Sequence, residues 1–120
     1  MTRILLVIGV VLIAGGLGHS FGVVRFYLDS GVPDANRVLL DVWIAEAQLI
    51  AGGFYLAAAR ASRTGSNWRA LSVAGVVTIA AFAVPMLPVL AARAPFIFRV
   101  PPIVYLAWSL YILVRALRPA

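Results

Sequence analysis

The chain has no cysteine and no lysine, only four acidic residues and a single histidine. Without cysteine there is no disulfide and no thiol chemistry, and nothing can be read about a redox compartment. One histidine with scattered carboxylates does not make a zinc site, so neither a metal nor another cofactor is expected. His19 alone is thin ground for a haem ligand, although Gly18 and Gly22 beside it leave room for a flat ring. Walker-type glycine loops, serine nucleophile elbows, internal repeats and low-complexity tracts are also missing.

Charge itself is scarce. Only 12% of the 120 residues are charged and 63% are apolar, with a mean hydropathy of +1.02. Soluble domains average about 25% charged and about 45 to 50% apolar. The composition is that of a membrane protein, and the length leaves room for one compact bundle. Ten arginines against four acids give a net charge of +6. In a soluble chain this would suggest nucleic acid. Here the arginines flank apolar runs, where topology and anionic headgroups place them, so no nucleic-acid binding is expected.

The stretch that organises the chain is residues 38–60, VLLDVWIAEAQLIAGGFYLAAAR, which is long enough to span a bilayer and yet carries Asp41 and Glu46. At about 1.5 Å per residue, Glu46 lies roughly 12 Å along this helix. An ionisable group at that depth costs at least about 2.5 kcal/mol by insertion scales and by default marks a function or a buried partner.

The remaining runs complete an all-α, polytopic bundle of four transmembrane helices in a single domain, at about residues 4–27, 38–59, 70–90 and 100–117. The first run continues past any A-x-A-like site, which favours a spanning helix over a signal peptide. Gly15, Gly18 and Gly22 share a stripe on which a neighbouring backbone can approach closely. Residues 29–37 read as a polar loop with Asp34 placed to cap helix two, and residues 60–69 as a basic loop ending at the interfacial Trp68. Pro85 and Pro88 are expected to kink or end helix three, and Pro101 and Pro102 to start helix four. Four spans put both termini on one side with Arg3, Arg60, Arg63, Arg69, Arg115 and Arg118. The other side has Arg25, Arg37, Arg93 and Arg99, so the termini are expected in the cytoplasm and the protein in the inner membrane.

Antiparallel pairing of helices one and two sets His19 and Glu46 at similar depth and brings Arg25 near Asp41. A buried His19/Glu46 cluster, with Asp41 assisting, supplies candidate acid/base groups; the same cluster also serves as a polar clamp between helices. Gln48 lies seven residues after Asp41 on nearly the same face. Tyr105, Trp108 and Ser109 share a face of helix four in the same half of the membrane. With Arg25 these are the candidate ligand-contacting residues, suited to an apolar molecule.

The segment NRVLLDVWIAEAQLIAGGFYLAAAR, followed by a basic loop and two more spans, resembles the small four-helix bacterial inner-membrane proteins of the DoxX-like kind. That resemblance implies a four-helix bundle and assigns no catalytic residue. Three functions are therefore in view. One is binding of a small apolar or protonatable ligand. A second is an accessory role in a homo-oligomer or larger membrane complex. The third is a membrane-embedded enzyme acting on a lipid, sterol-like or isoprenoid substrate. Membrane lipids are partners in each case.

Overall fold

The computed structural model describes residues 1–30, 35–93 and 96–118, without the side chains of residues 23, 24, 26–30, 35–41, 93, 97 and 98. It contains four helices, α1 (Thr2–Ser30), α2 (Ala35–Thr64), α3 (Trp68–Arg93) and α4 (Val100–Leu117), with a 3₁₀ turn at Phe96–Arg99 leading into α4. No strand occurs among the described residues. Each helix packs on the next in sequence, so the bundle runs up, down, up, down.

Several of the expected boundaries move outward, two of them for reasons visible in the chain. Residues 60–64 continue α2 instead of forming a loop, because alanine, serine and arginine extend a helix readily and the first residue able to stop it is Gly65. Gly65 takes φ +72°, and the Ser66 N–H reaches back to the Ala61 carbonyl at 3.2 Å, the Schellman closure that needs a residue without a Cβ penalty. Of the two outcomes expected at Pro85 and Pro88, a kink or an end, the end does not occur, as α3 runs through both to Arg93. Both prolines are exposed on its outer side. Within a membrane bundle, local adjustments and neighbouring groups re-satisfy the carbonyls that proline leaves without a donor. The α4 start agrees with expectation, with proline in its first positions. Arg99 ties that start to α3 by donating from Nη2 to the Ala91 carbonyl at 2.9 Å. Residues 29–30 and 35–37, expected in the polar loop, belong to α1 and α2, and Asp34 lies outside the described residues.

The core is made of small and medium side chains: Leu5, Ile8 and Leu12 from α1, Ala51, Tyr55 and Ala58 from α2, Ile79, Phe82 and Met86 from α3, and Ile112 from α4. The outer faces are equally apolar, with Phe21 74%, Val77 59% and Leu110 62% exposed. Soluble monomers rarely leave contiguous apolar surface beyond a few hundred Å². The stretches Thr2–Gly22, Val42–Thr64, Trp68–Ala92 and Val100–Leu117 are each long and apolar enough to cross a bilayer, which makes this a multipass membrane protein.

Glycine sets the α1–α2 contact, mostly at positions other than those expected. A Cβ on Gly52 would sit 3.0 Å from the Gly9 carbonyl oxygen, and one on Gly16 3.0 Å from the Ala45 oxygen. The two backbones therefore touch along Gly9, Gly16 and Gly52, the close approach that small residues permit in membranes. Gly15 joins this seam, against Gln48, but Gly18 and Gly22 have nothing within 4 Å. The seam on α1 follows the seven-residue step from Gly9 to Gly16, past the buried Leu12, and so turns Gly18 and Gly22 outward.

Candidate functional site: a polar-floored cleft between the four helices

At the end of the bundle where α1 and α3 finish and α2 and α4 begin, the helices leave a cleft of about 110 Å³. α1 contributes His19, α2 Ile44 and Gln48, α3 Phe82 and Met86, and α4 Pro102 and Tyr105. Its rim is open, since His19 and Pro101 are exposed, whereas Gln48, Phe82, Met86 and Pro102 are buried. The walls are apolar and the polar groups are three: an imidazole, a carboxamide and a phenol.

Gln48 occupies this place because α2 turns Ala45, Gln48, Ala51, Gly52 and Tyr55 inward, a three- and four-residue spacing that defines one helix face. Its amide lies over Gly15, where an added Cβ would be 3.2 Å from Oε1. Nε2 donates to the Tyr105 hydroxyl at 3.4 Å, near the outer limit for such a bond. Oε1 is buried and has no partner. Turning the amide over would only exchange which of its two polar atoms is orphaned.

The other polar side chains in the spans behave differently. Ser20, Ser72 and Thr78 each donate to the carbonyl four residues back, at 2.8 to 2.9 Å. The Tyr55 and Ser109 hydroxyls are paired at 3.2 Å. Among the described residues, the buried side-chain polar atoms without a partner are Gln48 Oε1 and Arg99 Nε. An unpaired buried acceptor costs about 1 to 3 kcal/mol, so Gln48 gains from any rearrangement that brings its amide a donor.

The expected buried His19/Glu46 cluster is corrected. Gly16 lies against Ala45 on the antiparallel partner, so His19 and Glu46 are offset along the bundle by about four residues, roughly 6 Å, and do not share the expected level. Their faces do not meet either. Both are exposed, and no hydrogen bond or ion pair joins them. The reason is helical rotation, since Ala45 and Gln48 face inward and Glu46, about 100° from Ala45, faces out. Glu46 shares that outer stripe with the exposed Val42, Ile50, Gly53 and Ala57. The acid/base couple of Glu46, His19 and Asp41 is thus not assembled from its first two members, and the Asp41 side chain lies outside the described residues.

Of the expected ligand-contacting residues, Gln48 and Tyr105 line the cleft. Ser109 lies deeper, bonded to Tyr55, and Trp108 faces a different groove, against Ile4 and Ile8 of α1. Arg25 is exposed and engaged in an interaction of its own. Sequence reasoning missed Phe82, Met86 and Pro102 as walls. The available signal was the pair of proline-interrupted segments at this end, which leaves irregular backbone around a gap. Among the described residues no three of His, Cys, Asp and Glu converge in a manner able to hold a metal.

Comparison with known proteins found no match to this chain among family models, curated proteins or solved structures.

Proposed function

We propose that the protein is a small inner-membrane ligand-binding protein whose cleft takes an apolar molecule, or the apolar headgroup of a longer lipid, bearing one hydrogen-bond donor. The observation that carries this reading is an apolar cleft lined by Gln48, whose buried amide oxygen has no partner and would be brought to a ligand by rotation of the side chain. A dry apolar cavity of about 150 Å³ holds a benzene ring. A cleft of about 110 Å³ open at its rim suits a ring of that class with the remainder of the molecule projecting past His19. The donor pairs with Gln48, and His19 at the rim is placed to bond a second polar atom. Phenol and toluene form the deciding pair, because they share a shape and differ in the donor. Phenol should raise the unfolding midpoint of the detergent-solubilised protein, and toluene should raise it less. Equal effects from the two would refute the hydrogen-bonded reading.

A second reading, an accessory subunit of a homo-oligomer or larger membrane complex, is favoured by Glu46. A carboxyl on the outer stripe of a span stands where lipid would leave it unpartnered, and Gly53 and Ala57 on the same stripe permit close helix approach. Intramembrane cross-linking from position 50 tests it. A discrete cross-linked species lost in Glu46→Leu would support the complex, and exclusively lipid adducts would oppose it. The enzyme reading has less support, because His19 and Glu46 point to different surroundings. With six arginines at the end that carries the N-terminus, the termini are placed in the cytoplasm in this account.

A further inference from the structure

At the opposite end of the bundle, α1 and α4 flank a groove that the cleft does not use. Ile4, Val7 and Ile8 face Trp108 and Tyr111 across about 350 Å³ of space, with Arg3 at the mouth. One helical turn outward, Trp68, Arg69, Arg115 and Arg118 line a concave basin of about 270 Å³ beside Met1. The two spaces follow one another along the same pair of helices. Met1 immediately precedes α1, three residues before Ile4, and Arg115 and Tyr111 are on successive turns of α4.

Their chemistries are complementary halves. The inner groove is apolar, whereas the basin presents three guanidinium groups, with Arg3 at the junction. All four acids of the chain lie between positions 29 and 46, far in sequence from the residues that line the basin. Arg69 stands over the Trp68 ring at 5.7 Å, a cation–π contact that limits its freedom while leaving its N–H groups available. Guanidinium forks match phosphate oxygens in pairs, and the positive end of α3 adds to the field.

We propose that this is a site for an anionic diacyl phospholipid, with the phosphate among Arg69, Arg115 and Arg118 and an acyl chain along Ile4, Val7 and Tyr111. A free phosphate would use only the basin, and a zwitterionic lipid would use the groove without needing the surplus of positive charge. Basic pockets between membrane helices that continue into an apolar groove meet both demands of an anionic lipid.

Native mass spectrometry of the full chain in detergent tests the site, with phosphatidylglycerol, phosphatidylcholine and inorganic phosphate as separate probes. Phosphatidylglycerol should be retained at a stoichiometry of about one, phosphatidylcholine should be lost, and phosphate should not displace the anionic lipid. Arg115→Gln and Arg118→Gln should each weaken retention roughly fivefold. Arg63→Gln removes an exposed charge from the same end without lining the basin and should change nothing. Val7→Trp fills the groove from a position that is 57% exposed, so it should weaken retention without unfolding the helix. Equal retention of the two lipids overturns the proposal. So do displacement by phosphate, a loss in Arg63→Gln as large as in Arg115→Gln, or no loss in Val7→Trp.

Discussion

Replacing Gln48 with methionine should make the isolated protein more stable while removing its ability to respond to a donor-bearing ligand. Methionine is unbranched and follows the path of glutamine, so it neither overpacks the contact with Gly15 nor opens a cavity. It removes an acceptor whose burial without a partner costs about 1 to 3 kcal/mol. It also gives up the 3.4 Å bond to Tyr105, and interhelical hydrogen bonds in membranes average about 0.6 kcal/mol. Tyr105 is only partly buried, so its hydroxyl is left with a small penalty. The difference is a gain of roughly 0.5 to 2 kcal/mol. Unfolding by titration with a denaturing detergent, followed by helical circular dichroism, reads this directly. If Gln48→Met instead loses about 1 kcal/mol or more, Oε1 has a partner in the folded protein and the reasoning fails.

Other consequences follow from the same packing. Gly75→Ala should destabilise by about 1 to 3 kcal/mol, because its Cβ would stand 2.7 Å from a ring carbon of the buried Tyr55, which Ser109 holds in place; the same titration reports it. Gly18→Ala, with open space around it, should be neutral or stabilise by up to about 1 kcal/mol, and a clear loss would mean that this face of α1 is packed. Glu46→Gln should leave the unfolding free energy of the isolated monomer within about 0.5 kcal/mol of wild type, since Glu46 has no partner among the described residues. If the chain works in a complex, the same variant should shift its size in gentle detergent. Ser62→Ala should cost on the order of 0.6 kcal/mol by releasing the 2.6 Å contact with Thr2 that fastens the start of α1 to the end of α2.

The four spans were legible in the sequence because hydrophobic runs between arginines are long-range signals that survive small errors at their ends. Local chemistry at the ends was less so. The helix at residues 60–64 was hidden by charge, which marks a membrane interface without ending a helix. Pro85 and Pro88 suggested a kink or an end, and α3 does not end at either. At the site, neither depth nor direction was fully readable. Counting residues from the loop set His19 and Glu46 at one level, where the Gly16–Ala45 contact offsets them by about a helical turn, and the rotation of α2, fixed by Gly9, Gly16 and Gly52, decides which of Glu46 and Gln48 turns inward. The more conspicuous residue, an acid in a span, proved to be the outward one, and the quieter amide lies in the cleft. Likewise Trp108 and Tyr105, three residues apart on α4, diverge because α1 is separated from α4 by a groove at one depth and opens on the cleft at another.

The central claim is that the cleft floored by Gln48 holds a small molecule in the membrane. Mild-detergent purification of wild type and Gln48→Met from the same membranes, followed by mass spectrometry of the organic extract, tests it most directly. The account predicts one low-mass hydroxylated apolar compound that accompanies wild type near stoichiometry and is depleted from the folded Gln48→Met protein. Identical extracts from the two proteins, or an extract of bulk phospholipid alone, would contradict it.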